Sequence, residues 1–177
     1  EVEMPLVEVL VTMQNNGITL NPGVLQDMAS DLDRKLEELE FVIYDDVGHT
    51  FNIGSPKQLG DVLFNELGLP KTRRTKTGYS TDANSLEALK GGHPVIERIL
   101  GYRQLSKIKS TYVDTLPALV NPVSGRIHTS YNQAGSATGR ISSNDPNLQN
   151  IPVRTNLGRQ VRRAFVAPRY DGLQWVL

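Results

Sequence analysis

Cysteine is absent from the 177 residues, which removes disulfide staples and thiolate metal sites and sets zinc and iron–sulfur chemistry aside. No apolar run approaches the roughly 18 residues that cross a bilayer, and no charged stretch followed by an apolar one marks a secretory signal. His49, His93 and His128 stand far apart, with no metal-type spacing between any two. Ser130 beside His128 and Tyr131 lacks the base-plus-orienter pattern or nucleophile elbow of covalent catalysis. GRQVRR, residues 158–163, lacks the glycine-lysine-hydroxyl ending of a phosphate loop. No catalytic residue and no metal ligand is expected.

Net charge is also missing, with 19 basic and 19 acidic side chains, but the balance hides a division. Residues 1–66 carry 13 acidic groups against Arg34, Lys35 and Lys57, a net −10. Residues 67–177 carry 16 basic groups against 6 acidic ones, a net +10. An anion-binding surface is expected on the second part.

What is present begins as helix. Residues 4–16 read as a helix with Pro5 in its first turn, Leu6, Val9, Leu10 and Met13 on one face and Gly17 as its stop. Ile18–Leu20 is a short extended link, and Asn21-Pro22 is a helix-start signal. Leu25, Met28, Leu32, Leu36, Leu39 and Ile43 then form one stripe on a long helix ending near Gly48, suited to antiparallel helix packing. Ser55-Pro56 opens a further helix with Leu59, Leu63 and Leu67 inside.

The loop KTRRTKTGYST, residues 71–81, carries four cations and one apolar anchor, Tyr79, and is expected to be mobile when unbound. A short helix at about 82–90 precedes a longer one from His93-Pro94 to about Leu116, whose buried side takes Ile96, Ile99, Leu100, Ile108 and Tyr112. Arg103, Lys107 and Lys109 cluster near its C-terminal half among Ser106, Ser110 and Thr111. Lysines beside hydroxyls suit phosphate oxygens, since both donate to them. After Pro117 the pattern changes: Arg126–Asn132 reads as a strand with Thr138–Ser142 as its antiparallel partner, Asn144–Pro152 as irregular, and Ala164–Ala167 and Leu173–Leu177 as extended.

The densest chemistry lies in SATGRISSNDPNLQNIPVRT, residues 136–155, which packs two arginines, three asparagines, a glutamine and several hydroxyls into a turn-rich segment. Such side chains satisfy one another or face an external polar ligand.

This stretch resembles the segment joining thumb and palm in bacterial, repair-type family A DNA polymerases, and the resemblance extends over nearly the whole chain. GHTFNIGSPKQLGDVLFNELGLP, the TKTGYST loop with its following LEAL, and HPVIERILGYRQLSKIKSTYVDTLP look like the thumb of that family. GRIHTSYNQAGSATGRISSNDPNLQNIPVRTNLGRQVRRAF looks like the passage into the palm. The implied fold class is α+β, a mainly helical thumb of long antiparallel helices over residues 1–120 with its basic tip loop at 71–81. Residues 121–177 would then be the thumb-to-palm segment and the first, incomplete palm strands.

The resemblance implies that Lys76 and Ser80 in the loop, and Arg103, Lys107, Lys109 and Thr111 on the last thumb helix, contact DNA phosphates. It likewise implies that Arg140, Asn147, Gln149 and Asn150 reach the minor groove or sugar edge near a primer terminus, and Arg154 a nearby phosphate. The physical logic agrees: a polymerase holds every sequence alike, and minor-groove acceptors occupy similar places in all correct pairs. The expected partners are a primer–template duplex and the rest of the polymerase (fingers, remaining palm, exonuclease-like domain), with no membrane, in the bacterial cytoplasm at the nucleoid. In the family, palm aspartates hold the magnesium ions of nucleotidyl transfer; Asp145 and Asp171 do not match them, so no cofactor is expected in this chain and no activity from it alone. Two other readings stay open, a stand-alone sequence-independent nucleic-acid-binding module and a helical interaction scaffold.

Overall fold

The computed structural model describes residues 3–76 and 78–167. The expected strand at Leu173–Leu177, and Asp171, lie outside them. The fold is α+β: helices dominate, and short antiparallel strands form small sheets. Two compact units emerge, one from residues 1–30 with 108–177, the other from residues 31–107.

In the first unit, helix α1 (Glu3–Asn16) ends at Gly17, whose φ of +62° reverses the chain. A side chain there is doubly excluded, since a Cβ would lie 2.8 Å from the Ile127 carbonyl oxygen and from the His128 ring. Of the face read from the sequence, only Leu10 is buried and Leu6 half-buried; Val9 and Met13 point outward, as do Met4, Val7 and Val11.

The link after Gly17 is more than a link. Strand β1 (Ile18–Leu20) is the centre of an antiparallel sheet, flanked by β4 (Arg126–Ile127) and β7 (Phe165–Val166). Ile18 faces Ile127, and Leu20 faces Phe165. Leu20, Ile127, Phe165 and Val166 are buried together with Val161 and Ala164. The strand expected over 126–132 is broken in two: β4 joins β1, whereas β5 (Ser130–Asn132) pairs with β6 (Ser142–Asn144). The expected partner of this strand, Thr138–Ser142, is thus shifted C-terminally, with Tyr131 opposite Ser143. Ser143 and the intervening Thr129 are buried, and their burial holds this register where exposed polar side chains cannot.

Helix α7 (Asn156–Arg163) follows, capped by the Thr155 side chain, which accepts from the Gly158 amide at 3.1 Å. Gly158 lies so close to Pro152 that a Cβ would fall 2.0 Å from the Pro152 carbonyl oxygen. Only glycine lets the helix settle on that loop.

Helix α2 (Pro22–Val47) begins in the first unit with Leu25 and Met28 buried, and its remaining turns belong to the second. There Ile43, with Tyr44 and Val47 against it, joins residues of α3 (Pro56–Asp61), α4 (Ala83–Glu87) and α5 (Pro94–Ile108) in a core that includes Ile53, Leu59, Leu63, Phe64, Leu86, Val95, Ile96 and Ile99. Two polar pairs show that α2 and α5 run antiparallel: Tyr102 donates to Glu40 at 2.7 Å, and Arg98 pairs with Asp46. After α3 the chain widens into a π-helical turn, Val62–Glu66, which buries Val62, Leu63 and Phe64.

The long helix expected to reach Leu116 stops at Ile108. In the first unit the chain continues as a π-helical turn, Lys109–Val113, and a short α6 (Thr115–Ala118). The Asp114 amide donates to the Lys109 carbonyl at 3.0 Å, the i to i+5 bond of a π turn. This wider winding brings the Lys109 ammonium within 2.9 Å of the Asp114 carboxylate.

Candidate nucleic-acid interface

The basic loop of the second unit is a small built structure. Strands β2 (Arg74–Thr75) and β3 (Gly78–Tyr79) pair into a hairpin. The Ser80 amide donates to the Arg73 carbonyl at 2.8 Å, and the Thr72 hydroxyl donates to the Ser80 carbonyl at 2.6 Å. Tyr79 is the expected anchor: its ring meets Phe64 edge-on at 5.5 Å, and the Lys71 ammonium lies 5.3 Å from its centre. Arg73 reaches Asp82 at 3.5 Å, leaving Arg74 and Lys76 exposed at the hairpin tip.

Ser80 and Arg103 are placed differently from Lys76. Ser80 is buried, and its hydroxyl accepts from the Asp82 amide at 3.2 Å. Asp82 in turn caps α4 by accepting from the Ser85 amide at 2.8 Å. That backbone bond, followed by those of the Ser80 and Ser85 side chains, holds the Asp82 carboxyl below its ordinary pKa. The Arg103 guanidinium donates to the Thr81 carbonyl and, at 3.4 Å, to the Thr81 hydroxyl. Burial pushes its pKa down, with Asp82 opposing the shift. Both residues brace the base of the hairpin. Lys107 is exposed on the last turn of α5.

Of the remaining predicted residues, all in the first unit, Lys109 is half-buried and paired with Asp114, while Thr111 is exposed. The others lie along residues 140–154, whose backbone is held by a scaffold of buried groups. The Thr129 hydroxyl points to the carbonyls of Asn144 at 2.9 Å and Pro146 at 2.7 Å. Ser143 accepts from the Leu148 amide at 3.2 Å, and Tyr112 donates to the Asn150 carbonyl at 2.6 Å. Between them Asp145 adopts a φ of +53°, and the Asp145–Pro146 bond is cis.

On this scaffold the predicted side chains divide. Asn147 accepts from the Gln149 amide at 3.1 Å, and the Gln149 side chain donates to the Ile141 carbonyl, so both also serve the turn itself. Arg140, Asn150 and Arg154 are exposed, and their side chains have no hydrogen bond or ion pair among the described residues. Sequence reasoning misses the scaffold: Thr129 reads only as a strand position and Tyr112 only as core, and Ser143 falls between the expected strand and the irregular segment. Its one visible signal was a set of hydroxyl side chains in segments otherwise suited to burial.

Three features bound the chemistry. Among the described residues no three His, Cys, Asp or Glu side chains converge to hold a metal ion. No described helix is long and apolar enough to cross a membrane. His128 sits between Ser124, 2.7 Å from Nε2, and the Gln14 carbonyl, 2.8 Å from Nδ1. The ring therefore bridges the Ser124 hydroxyl and the backbone of α1.

The chain matches the family model described as DNA polymerase family A over residues 23–176. It is 51% identical to DNA polymerase I of Synechocystis over 98% of this chain and 18% of that protein. It is 52% identical to the thermostable DNA polymerase I of Thermus thermophilus over all of this chain and 21% of that protein. For DNA polymerase I of Geobacillus stearothermophilus the identity is 49%, over 98% and 20%. The chain therefore spans about a fifth of the length of these curated relatives. Among solved structures it is similar to the POL domain of Pol1 from M. smegmatis in complex with DNA primer-template and dNTP. That likeness has a TM-score of 0.86 and 45% identity, over 94% of this chain and 29% of that one. A family match over most of its length, joined to a shared fold, makes this chain a member of DNA polymerase family A.

Proposed function

We propose that this chain grips a primer–template DNA duplex, independently of sequence, as part of a polymerase that extends the primer by nucleotidyl transfer. The carrying observation is the division along residues 140–154. The segment meets its backbone needs internally through Tyr112, Thr129 and Ser143, yet leaves the donors of Arg140, Asn150 and Arg154 outward and unpartnered among the described residues. Donors of this kind suit minor-groove acceptors and phosphate oxygens. Lys76 at the hairpin tip, with Lys107, Lys109 and Thr111, supplies further phosphate donors in the same reading, and Asn147 and Gln149 contribute amide edges. Ser80 and Arg103 support it through the hairpin they brace. The solved relative in complex with DNA primer-template adds to the case.

Magnesium belongs to the proposal for the longer enzyme. The part proposed for this chain is binding and positioning; among its described residues no three His, Cys, Asp or Glu side chains converge. Primer extension by residues 1–177 alone, supplied with magnesium and nucleoside triphosphates, would overturn the proposed inactivity. Fluorescence anisotropy with two duplexes of equal length and unrelated sequence tests the grip. Equal affinities that weaken together with salt, and weaken further in Arg140→Ala, are expected. Binding to neither duplex at 50 mM salt, or indifference to salt, would sink the reading.

A further inference from the structure

Helix α7 carries an arrangement of charge that its own fold does not explain. Between Pro146 and Ala167 the sequence has four arginines, Arg154, Arg159, Arg162 and Arg163, and no aspartate or glutamate. The helix sorts them. Arg162 is half-buried beside a cavity of about 140 Å³ that it lines with Ile18, Leu148, Ile151 and Phe165, and its Nε is buried without a hydrogen-bond partner among the described residues. Arg159 and Arg163, one turn apart, are both exposed.

Two relations set the outward pair against the folded chain alone. Like charges four residues apart on a helix repel. Arg159 lies in the N-terminal half of α7, where the helix dipole disfavours a cation; only Arg163, in the last turn, is favoured. Arg159 also donates to the Arg154 carbonyl at 3.2 Å, which ties a second exposed arginine's backbone to the same end of the helix. None of the three arginines has an ion pair among the described residues. On a merely solvated helix, interspersed carboxylates would relieve this repulsion, and here there are none.

We propose that Arg159 and Arg163 form a phosphate-binding face for the backbone of a nucleic-acid strand, with Arg154 held beside it. This inference rests on the DNA-binding reading above and adds Arg159 and Arg163, which are not among the DNA contacts expected there. The bound phosphodiester supplies the anions that the surrounding sequence omits. Arginine suits the task because its planar fork donates two parallel bonds to one phosphate.

The test is the salt dependence of duplex binding by the 177-residue chain, followed by anisotropy between 50 and 200 mM salt. For R159Q/R163Q the slope of log affinity against log salt is expected to fall by about 1.8, at about 0.9 per phosphate contact. Its loss of affinity over that range then becomes about 12-fold smaller than that of the unsubstituted chain. R159K/R163K should keep most of the slope, whereas a purely structural role for the Arg159 bond to Arg154 would not survive lysine. R163Q alone leaves that bond intact, guards against misfolding of the double variant, and should lower the slope by about 0.9. An unchanged slope in R163Q and R159Q/R163Q, while Arg140→Ala still weakens binding, would overturn this inference and leave the proposed function standing. Absence of salt-dependent binding by the unsubstituted chain would overturn both.

Discussion

The Tyr112 hydroxyl donates to the backbone carbonyl of Asn150 at 2.6 Å, tying the π-helical turn of residues 109–113 to the loop that presents the amide and guanidinium donors. Burial raises the tyrosine's pKa, so the hydroxyl keeps its proton across the physiological range. Tyr112 shows how a core side chain with a polar tip sets the position of a site it does not itself occupy.

Tyr112→Phe removes that one bond and keeps the ring. The expected loss is about 1 kcal/mol of stability, the usual net value of a neutral hydrogen bond, measured by urea denaturation. A larger fractional loss of duplex affinity than Thr111→Val produces would show that the bond also positions Asn150. An unchanged denaturation midpoint would remove the bond from the account.

Tyr102 makes the second unit sensitive to alkali. Its pKa is pushed up to about 12, first by burial and then by its bond to Glu40. A group whose folded pKa lies above its unfolded value of about 10 contributes stability that is complete below that value and disappears as pH rises through the folded one. Stability should therefore fall between about pH 10 and pH 12 in the unsubstituted chain, and Tyr102→Phe should flatten that limb. Guanidinium denaturation at stepped pH measures it; parallel limbs in the two proteins would refute the assignment.

Gly158→Ala should destabilise the first unit, because the added methyl would press into the Pro152 carbonyl. Overpacking of this kind costs about 1–3 kcal/mol, whereas alanine at an open helix position would have stabilised. Thermal melting followed by circular dichroism decides the sign. A rise in Tm would show that the α7–Pro152 approach is looser than described.

Arg103→Ala leaves the Thr81 carbonyl without its charged donor and opens space under the basic hairpin. About 1.5–3 kcal/mol of stability should be lost, as for a hydrogen bond to a charged group. Arg103→Lys should restore little of it, since one ammonium on a flexible stem does not reproduce the fork that meets both Thr81 oxygens. Hydrogen exchange over residues 72–82 provides the local readout. Full rescue by lysine would mean that charge alone, and not the brace, is the residue's contribution.

The long helices were readable because an apolar side chain every three or four residues survives any tertiary context: Leu25, Met28, Leu32 and Ile43 are all buried. The division of charge, the anchoring of the basic loop by Tyr79, and the family itself were readable for the same local reasons. Helix α7 was not, because NLGRQVRR has no apolar stripe and buries only Gly158 and Val161. The β5–β6 pairing was misplaced because short polar strands carry no alternation strong enough to set a register.

By itself the sequence determined the long helices, the two signs of charge, and a cluster of donors between residues 136 and 155. Only tertiary structure decided that Ile18–Leu20 would be a central strand, since its partners β4 and β7 lie far downstream and nothing local encodes them. It likewise separated donors that brace the fold, Ser80 and Arg103, from those left facing outward, Arg140, Asn150 and Arg154. Residue type states what a side chain can donate, but burial and the acceptor within reach decide where that donation goes.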